Sequence, residues 1–310
     1  MLGLVILLTV GFVLFHAAVI WLTVRSLLRP PRRTYAWAVA RGRPGDPSEL
    51  DTPRAFESWT FQSGGRVFPV WDIAGEAPNG PVIVCSHGWA DSRLGLMGRL
   101  DSLASVASRV IAWDLPGHGE APGICRLGTS EVDDLLALVA HLDQPRRVVL
   151  FGWSLGAGMS IAAAARGAPV AGVIAEAPYR LAITPARAVI RAMRMPYRLS
   201  LVPAFWIIGT VIGVGPGWNR RQGGMGFDRA ALAARLTCPL LVLQGERDEV
   251  CPIEDGEAIA AAAGEHGHLA RLANIGHNDV WAPDQAAATA THVRSFIQSL
   301  NIEPGPHRIA

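Results

Sequence analysis

Gly152-Trp153-Ser154-Leu155-Gly156 follows a β-branched run, 147–151, and precedes an Ala-rich run, 159–165. A strand that enters a Gly-x-Ser-x-Gly sequence and leaves it as a helix makes a sharp turn, which exposes the serine hydroxyl at the edge of a sheet. The small residues around Ser154 leave room for this strained backbone. An ordinary tight turn is the alternative, because a chain with 33 glycines can produce the pattern by chance. The strand-to-helix context favours a nucleophilic serine.

The composition is that of a large globular domain. The chain has 310 residues, of which 50% are hydrophobic, so it can bury a sizeable core. A formal net charge of +2 gives no electrostatic case for nucleic-acid binding. The four cysteines are too few and too scattered for a disulfide scaffold, and we expect four free thiols.

The N-terminal stretch 2–24 has no side chain with a formal charge. As a helix of about 35 Å it is long enough to cross a bilayer. A cleaved signal peptide would begin with basic residues and end at a small-residue site. Here the basic residues come after the apolar run, so we predict an uncleaved anchor, 1–25, with the catalytic domain on the cytoplasmic side. These residues are Arg25, Arg29, Arg32 and Arg33.

Short apolar runs alternate with helical patterns through the rest of the chain. This alternation predicts an α/β fold with an eight-stranded, mostly parallel sheet and helices on both of its faces. The predicted strands are 56–62, 66–73, 82–85, 110–113, 148–151, 170–175, 240–243 and 268–275, and the first two form a hairpin. The predicted helices are 98–107, 129–142, 154–166, 253–263 and 284–300.

The same patterns divide the chain into segments. Residues 26–54 are rich in Pro, Arg and Gly, which indicates a linker. The catalytic core is predicted at 55–178 and 236–302, with a short tail at 303–310. The intervening stretch, 179–235, is far too long for an ordinary connection and is predicted to be a cap over the active site.

The predicted cap is basic and apolar. Its middle, 199–215, is nearly all apolar, but a second membrane span there would separate Ser154 from everything after Asp228. We therefore expect an apolar cap that faces the pocket. Two interpretations remain: the cap touches anionic headgroups at the bilayer surface, or it packs only on its own domain. Against the single acid Asp228 it carries Arg180, Arg187, Arg191, Arg194, Arg198, Arg220, Arg221, Arg229 and Arg235.

A nucleophilic serine needs a base, and the base needs a carboxylate that orients it. In parallel sheets such groups gather at the carboxyl ends of strands. His277 follows the last predicted strand and is the predicted general base, and Asp248 follows the strand 240–243 and is the predicted orienting acid. The neighbouring acids are expected to be solvated: Glu246, Glu249 and Asp279.

The reaction also needs donors for an oxyanion. One is predicted to be the backbone N–H of Leu155, directly after the nucleophile. The other is predicted to be the N–H of Trp89, in the loop Ser86-His87-Gly88-Trp89-Ala90-Asp91 that follows the third strand. His87 is expected to brace this loop.

These motifs resemble those of the α/β-hydrolase superfamily, in particular its esterase, lipase and lysophospholipase-like serine hydrolases. The resemblance covers about 56–300. It rests on the His87-Gly88-Trp89 loop, on Asp114-Leu115-Pro116-Gly117-His118-Gly119, on the Ser154 turn and on the turns at Asp248 and His277. It implies an eight-stranded sheet, a cap after the sixth strand, and hydrolysis through an acyl-enzyme without a metal or organic cofactor. The N-terminal span and the long cap depart from many relatives.

The sequence thus predicts a membrane-anchored serine hydrolase that cleaves a carboxylic ester, with a hydrophobic acyl or lipid-like substrate and an acyl-enzyme on Ser154. Its expected partners are this substrate and the membrane, and no nucleic acid. A peptidase, an acyltransferase or a cofactor-free haloperoxidase could use the same fold. A non-catalytic scaffold at the membrane is the alternative from another class.

Overall fold

The computed structural model describes residues 1–143, 147–215, 218–219, 224–225, 227–300 and 302. The predicted tail, 303–310, and Arg220 and Arg221 of the predicted cap lie outside the described residues. Ten strands are found in the described part of the chain. They are β1 (Phe56–Ser63), β2 (Arg66–Ala74), β3 (Val82–Ser86), β4 (Arg109–Trp113), β5 (Val148–Trp153), β6 (Gly172–Glu176), β7 (Trp218–Asn219), β8 (Gly224–Met225), β9 (Leu240–Gly245) and β10 (Gly267–Leu272).

Eight of these strands form one sheet in the order β1-β2-β4-β3-β5-β6-β9-β10, and β7 pairs with β8 separately. The hairpin β1–β2 is antiparallel and joins β4 antiparallel, whereas all pairings from β4 to β10 are parallel. The predicted eight-stranded, mostly parallel sheet is confirmed. The last strand ends at Leu272, earlier than predicted, because Asn274 has a φ of +63°, which a strand does not accommodate.

The apolar runs become buried strands because helices cover both faces of the sheet. In β5, Val148 and Leu150 face one core cluster while Val149 and Phe151 face the other, as the two-residue period of a strand requires. One face is covered by α4 (Glu131–His141), α5 (Leu155–Ala165), α8 (Arg229–Ala233) and α9 (Ile253–Ala262), and the other by α3 (Leu100–Ala104) and α10 (Ala286–Ser299).

Two helices follow β6 in the stretch predicted to be a cap: α6 (Ile183–Ala192) and α7 (Tyr197–Trp206). Helix α7 contains Pro203 and runs into a π-helical turn, Ile207–Val211. Proline removes a backbone donor and so weakens the regular helical pattern near this turn. The apolar surface that the sequence predicted here is partly exposed, at Leu199, Val202, Trp206, Val211 and Ile212.

Helix α1 (Leu2–Leu28) is, among the described helices, the one that is long and apolar enough to cross a membrane. It continues beyond Arg25, where the predicted anchor ended, and Leu27 and Leu28 are buried in a core cluster of the sheet and its helices. Thr23 donates a hydrogen bond to Ser200 of α7 at 2.8 Å. The end of the apolar helix is therefore packed into the fold.

The segment predicted as a linker also contacts the core. It contains α2 (Tyr35–Val39), which is capped by Thr34, and a 3₁₀ turn, Pro47–Glu49. Arg32 donates to the carbonyl of Ala121 at 2.9 Å, and Arg33 pairs with Asp91 at 3.1 Å. These contacts bring the residues after α1 to the edge of the sheet where the strands end.

Candidate active site

Ser154 lies at the turn between β5 and α5. The strand ends at Trp153 and the helix begins at Leu155, so the serine is the single residue between them. Its φ of +53° and ψ of −109° lie outside the usual regions for a residue with a side chain. Its N–H donates to the carbonyl of Glu176 on the neighbouring strand at 2.8 Å. This is the strained strand-to-helix turn that the sequence predicted.

Two glycines make the turn possible. A Cβ atom on Gly152 would overlap the backbone of Gly156, and a Cβ on Gly156 would overlap the backbone carbonyl of Ser86 in β3. The first turn of α5 therefore packs directly on the sheet without an intervening side chain. This close packing holds the strained conformation of Ser154 in place.

Asp248 follows β9, His277 follows β10, and their side chains form a hydrogen bond. Nδ1 of His277 lies 2.7 Å from Oδ2 of Asp248, whose side chain is fully buried. The other oxygen, Oδ1, accepts from the backbone N–H groups of Val250 and Cys251 at 2.8 and 2.7 Å. Because the carboxylate acts as the acceptor, Nδ1 carries the proton and Nε2 is free to accept another.

Ser154 and His277 line the same pocket at the carboxyl ends of the strands. Among the residues that the structure describes, they form no direct hydrogen bond to each other, which is common before substrate binds. The Ser154 side chain lies beside the thiol of Cys251. Burial raises the pKa of that thiol well above its ordinary value, and the contact with Ser154 acts in the opposite direction.

Leu155 and Trp89 line the same slot as Ser154. The N–H of Leu155 belongs to the first turn of α5, where helical donors have no acceptor within the helix. Within the described part of the chain, neither of these two N–H groups donates to another backbone carbonyl. The loop is held from outside, because the Trp89 indole donates to the carbonyl of Leu27 in α1 at 3.1 Å.

His87 braces this loop, as predicted. Its Nε2 accepts from the N–H of Leu115 at 2.9 Å, and Nδ1 donates to the carbonyl of Gly88 at 2.8 Å. Burial lowers the pKa of His87, and burial lowers the pKa of the neighbouring His118 to about 3. Both nitrogens of His87 are thus occupied, so it is not available as a base for Ser154.

The space beside Ser154 is divided into two unlike parts. The slot is narrow, at about 30 Å³, and its walls are almost entirely apolar. They come from Leu27, Trp89, Leu127, Leu155, Tyr179, Ala182, Pro185, Ala186 and Val189. The second part is a polar pocket of about 350 Å³. It is lined by Arg33, Asp91, Gly95, Arg99, Trp153, Glu176, Ala177, His277 and Asn278.

Residues 83–292 match the alpha/beta hydrolase family. The chain belongs to this family. Two curated relatives match shorter stretches. A pimeloyl-[acyl-carrier protein] methyl ester esterase of Chromobacterium violaceum is 42% identical over 77 residues, 25% of this chain and 28% of that protein. The acetyltransferase component of an acetoin cleaving system of Pseudomonas putida is 35% identical over 102 residues, 32% of this chain and 26% of that protein. The chain thus spans less than a third of the length of these relatives.

Solved structures share the fold over most of the chain. An esterase of Pyrococcus furiosus has a TM-score of 0.67 at 19% identity, over 88% of this chain and 98% of the esterase chain. A membrane phospholipase A, described as a bacterial virulence factor, has a TM-score of 0.57 at 16% identity, over 96% of this chain and 97% of the phospholipase chain. At such low identity these similarities show the fold alone.

The fold brings together three groups that could bind a metal ion, with ligand atoms of Asp248, Cys251 and His277 within 4.8 Å of one another. Their bonding capacity is already used, because Nδ1 of His277 faces one carboxylate oxygen and two backbone N–H groups face the other. Burial also raises the pKa of Cys251, whereas cysteine binds metals as the thiolate. The cluster fits a hydrogen-bonded acid and histidine better than a metal centre.

Two polar residues near the site escaped the sequence analysis. Gln244, at the end of the apolar strand β9, donates to Asp248 at 3.2 Å and to the carbonyl of Cys251 at 2.6 Å, and so holds the loop that carries the acid. Glu176 ends β6 and pairs with Arg99. A polar residue at the end of an otherwise apolar strand is the signal that could have identified both.

Proposed function

We propose that this hydrolase is a membrane-anchored serine esterase that cleaves a carboxylic ester with an apolar acyl group. The observation that carries the proposal is the position of Ser154 between an apolar slot and a polar pocket, with His277 and Asp248 on the polar side. An ester with an apolar acyl chain and a polar alcohol is divided in the same way, because its carbonyl lies between these two parts. The name of one curated relative, a methyl ester esterase, supports ester chemistry.

Each group has one role in the proposed reaction. Ser154 attacks the carbonyl carbon while Nε2 of His277 takes its proton, and Asp248 keeps the other proton on Nδ1. The N–H groups of Trp89 and Leu155 donate to the oxyanion. His277 then protonates the leaving alcohol, and water releases the acid from the acyl-enzyme by the same steps. No metal or organic cofactor takes part in this scheme.

The slot and the polar pocket indicate where each half of the ester binds. His277 gives its proton to the leaving oxygen, so the alcohol lies in the polar pocket that this histidine lines. The acyl chain lies in the slot, beside the two proposed oxyanion donors. Leu27 at the end of α1 forms part of the slot wall. This continuity between the slot and an apolar helix supports a lipid-like acyl substrate.

Leu27→Ala is expected to shift the preferred acyl chain of p-nitrophenyl esters to a longer one, because it removes a buried side chain from the slot. The measurement is kcat/KM for esters from acetate to palmitate with detergent-solubilised protein. Leu22→Ala is the matched control, since Leu22 lies on the same helix but is 43% exposed.

Wild-type turnover with a chain-length optimum would support both the esterase and the slot assignment. An optimum that does not move in Leu27→Ala, or moves equally in Leu22→Ala, would contradict the slot assignment. Absence of hydrolysis at every chain length would contradict the esterase proposal and favour an amide or peptide substrate or the non-catalytic scaffold.

We also propose that α1 is retained as a membrane anchor with the catalytic domain in the cytoplasm. Removal of α1 as a signal sequence would take Leu27 and Leu28 from the core and the acceptor of the Trp89 indole from the loop. The arginines that follow the apolar run support the cytoplasmic orientation.

The orientation can be tested with the exposed residue His292 on α10. His292→Cys, in a Cys238→Ser background, is expected to react with a membrane-impermeant maleimide only after cell lysis. Cys238 is replaced because it is half-buried, whereas the other native thiols are buried. Labelling in intact cells would contradict the cytoplasmic orientation.

A further inference from the structure

The polar pocket beside His277 carries information about the alcohol half of the substrate, given the esterase proposed above. Four charged side chains line it: Arg33, Asp91, Arg99 and Glu176. Their formal charges cancel, so the net charge of the pocket does not reveal what it binds. The exposure and the hydrogen bonds of each charged side chain show which of them can contact a ligand.

Arg99 and Glu176 neutralise each other within the wall of the pocket. Nε of Arg99 donates to Oε2 of Glu176 at 2.8 Å, and a second contact joins the same two side chains. Glu176 also accepts from the indole of Trp281 at 2.7 Å. Arg99 donates to the carbonyl of Gly95 at 2.8 Å and lies over the ring of Trp153 at 4.3 Å. The side chains of Arg99 and Glu176 are only 14% and 2% exposed. This ion pair therefore forms part of the pocket wall and is not available to bind a ligand.

Asp91 is likewise occupied on both oxygens. Its Oδ1 accepts from Nη1 of Arg33 at 3.1 Å, and its Oδ2 accepts from the indole N–H of Trp153 at 3.2 Å. Its side chain is 15% exposed. The carboxylate therefore serves to hold Arg33 and Trp153 at the pocket rather than to meet a ligand.

Arg33 is the accessible charge. Its side chain is 41% exposed, and its hydrogen bond to Asp91 uses one of the five N–H donors of a guanidinium. Its position is set by that bond and by the ring of Trp37, 5.2 Å from the guanidinium carbon. An arginine held in this way binds phosphate or carboxylate strongly, because several charge-assisted donors act together.

We propose that Arg33 makes the site selective for esters whose alcohol carries an anionic group, a phosphate or a carboxylate. The polar pocket has a volume of about 350 Å³ and is larger than the slot, so it accommodates a bulky polar alcohol. In this arrangement the segment after α1 supplies the residue that recognises the leaving group. Arg33 thus determines specificity, while the reacting atoms are those of Ser154 and His277.

The test compares three octanoyl esters that differ only in the alcohol: 1-octanoylglycerol 3-phosphate, O-octanoyl lactate and neutral 1-octanoylglycerol. The wild type is expected to have a higher kcat/KM for one or both anionic esters. Arg33→Gln is expected to lower the ratio of anionic to neutral kcat/KM by about tenfold. Arg33→Lys should retain part of the preference. The two anionic arms show whether phosphate or carboxylate is preferred.

The matched control is Arg41→Gln, which removes an arginine that also lies over Trp37, at 4.5 Å, but does not line the pocket. Its ratio is expected to equal that of the wild type. Equal ratios in the wild type and Arg33→Gln, or a wild-type preference for the neutral ester, would overturn the inference while leaving the esterase intact. If the wild type hydrolysed neither the three octanoyl esters nor p-nitrophenyl octanoate, both the inference and the proposed function would be overturned.

Discussion

Ser154→Ala is expected to reduce the kcat for p-nitrophenyl ester hydrolysis by at least about 10³-fold, because it removes the atom that forms the acyl-enzyme. The fold should be unaffected. The turn around Ser154 is held by backbone contacts, through its N–H to the carbonyl of Glu176 and through the close packing at Gly152 and Gly156. Circular dichroism and the midpoint of thermal unfolding in detergent would verify this.

Ser160→Ala is the matched control for this result. Ser160 lies on α5, the helix that follows Ser154, and is fully buried, and its hydroxyl has no hydrogen-bond partner among the described residues. The replacement should therefore change the kcat less than about twofold, since surroundings without a polar partner tolerate the loss of a hydroxyl. Hydrolysis that persists in Ser154→Ala, or is lost equally in Ser160→Ala, would contradict Ser154 as the nucleophile.

Asp248→Asn is expected to lower kcat by about 10³ to 10⁴-fold, with little change in KM. The reason is the distribution of donors around the carboxylate. One oxygen accepts from Val250 and Cys251, so an asparagine there must present its own oxygen to them and turn its NH₂ toward His277. Nδ1 would then have to act as acceptor, which leaves the proton on Nε2. The imidazole could no longer take the proton of Ser154.

Glu249→Gln is the matched control, which tests whether the loss of any negative charge from this loop lowers kcat. Glu249 is the next residue in sequence and is exposed, and it lies outside the polar pocket. Its replacement should leave kcat within about twofold of the wild type, because an exposed charge acts through water and is screened. A small effect of Asp248→Asn, comparable to that of Glu249→Gln, would indicate that a different acid orients His277.

Much of this architecture could be predicted from local patterns. The central strand β5 and the glycines around Ser154 have local signals, since burial on both faces demands an apolar run and the close approach of α5 demands residues without a side chain. The pairing of Asp248 with His277 joins residues 29 apart, yet its candidates could be predicted because parallel strands bring their carboxyl ends to one edge.

Other features depend on contacts between distant segments and have no local signal. The buried end of α1 lies beside Trp89, 62 residues away, and Arg33 reaches Asp91, 58 residues away. In the sequence the arginines after the apolar run indicate only membrane orientation. The structure places one of them at the pocket of Ser154. Hydrophobic periodicity does not predict which turn of a helix contacts which loop.

The sequence by itself determined the α/β class, the positions of the sheet strands along the chain and their approximate bounds, the turn that carries Ser154 and the candidates for its base and acid. These follow from hydrophobic periodicity and from backbone requirements that only certain residues satisfy. Only the tertiary structure decided that the end of the apolar helix, with Leu27 and Leu28, is buried inside the fold and that Ser154 stands between an apolar slot and a polar pocket. Such features arise where segments far apart in the chain pack together, and packing depends on side-chain shape and position in space rather than on sequence spacing.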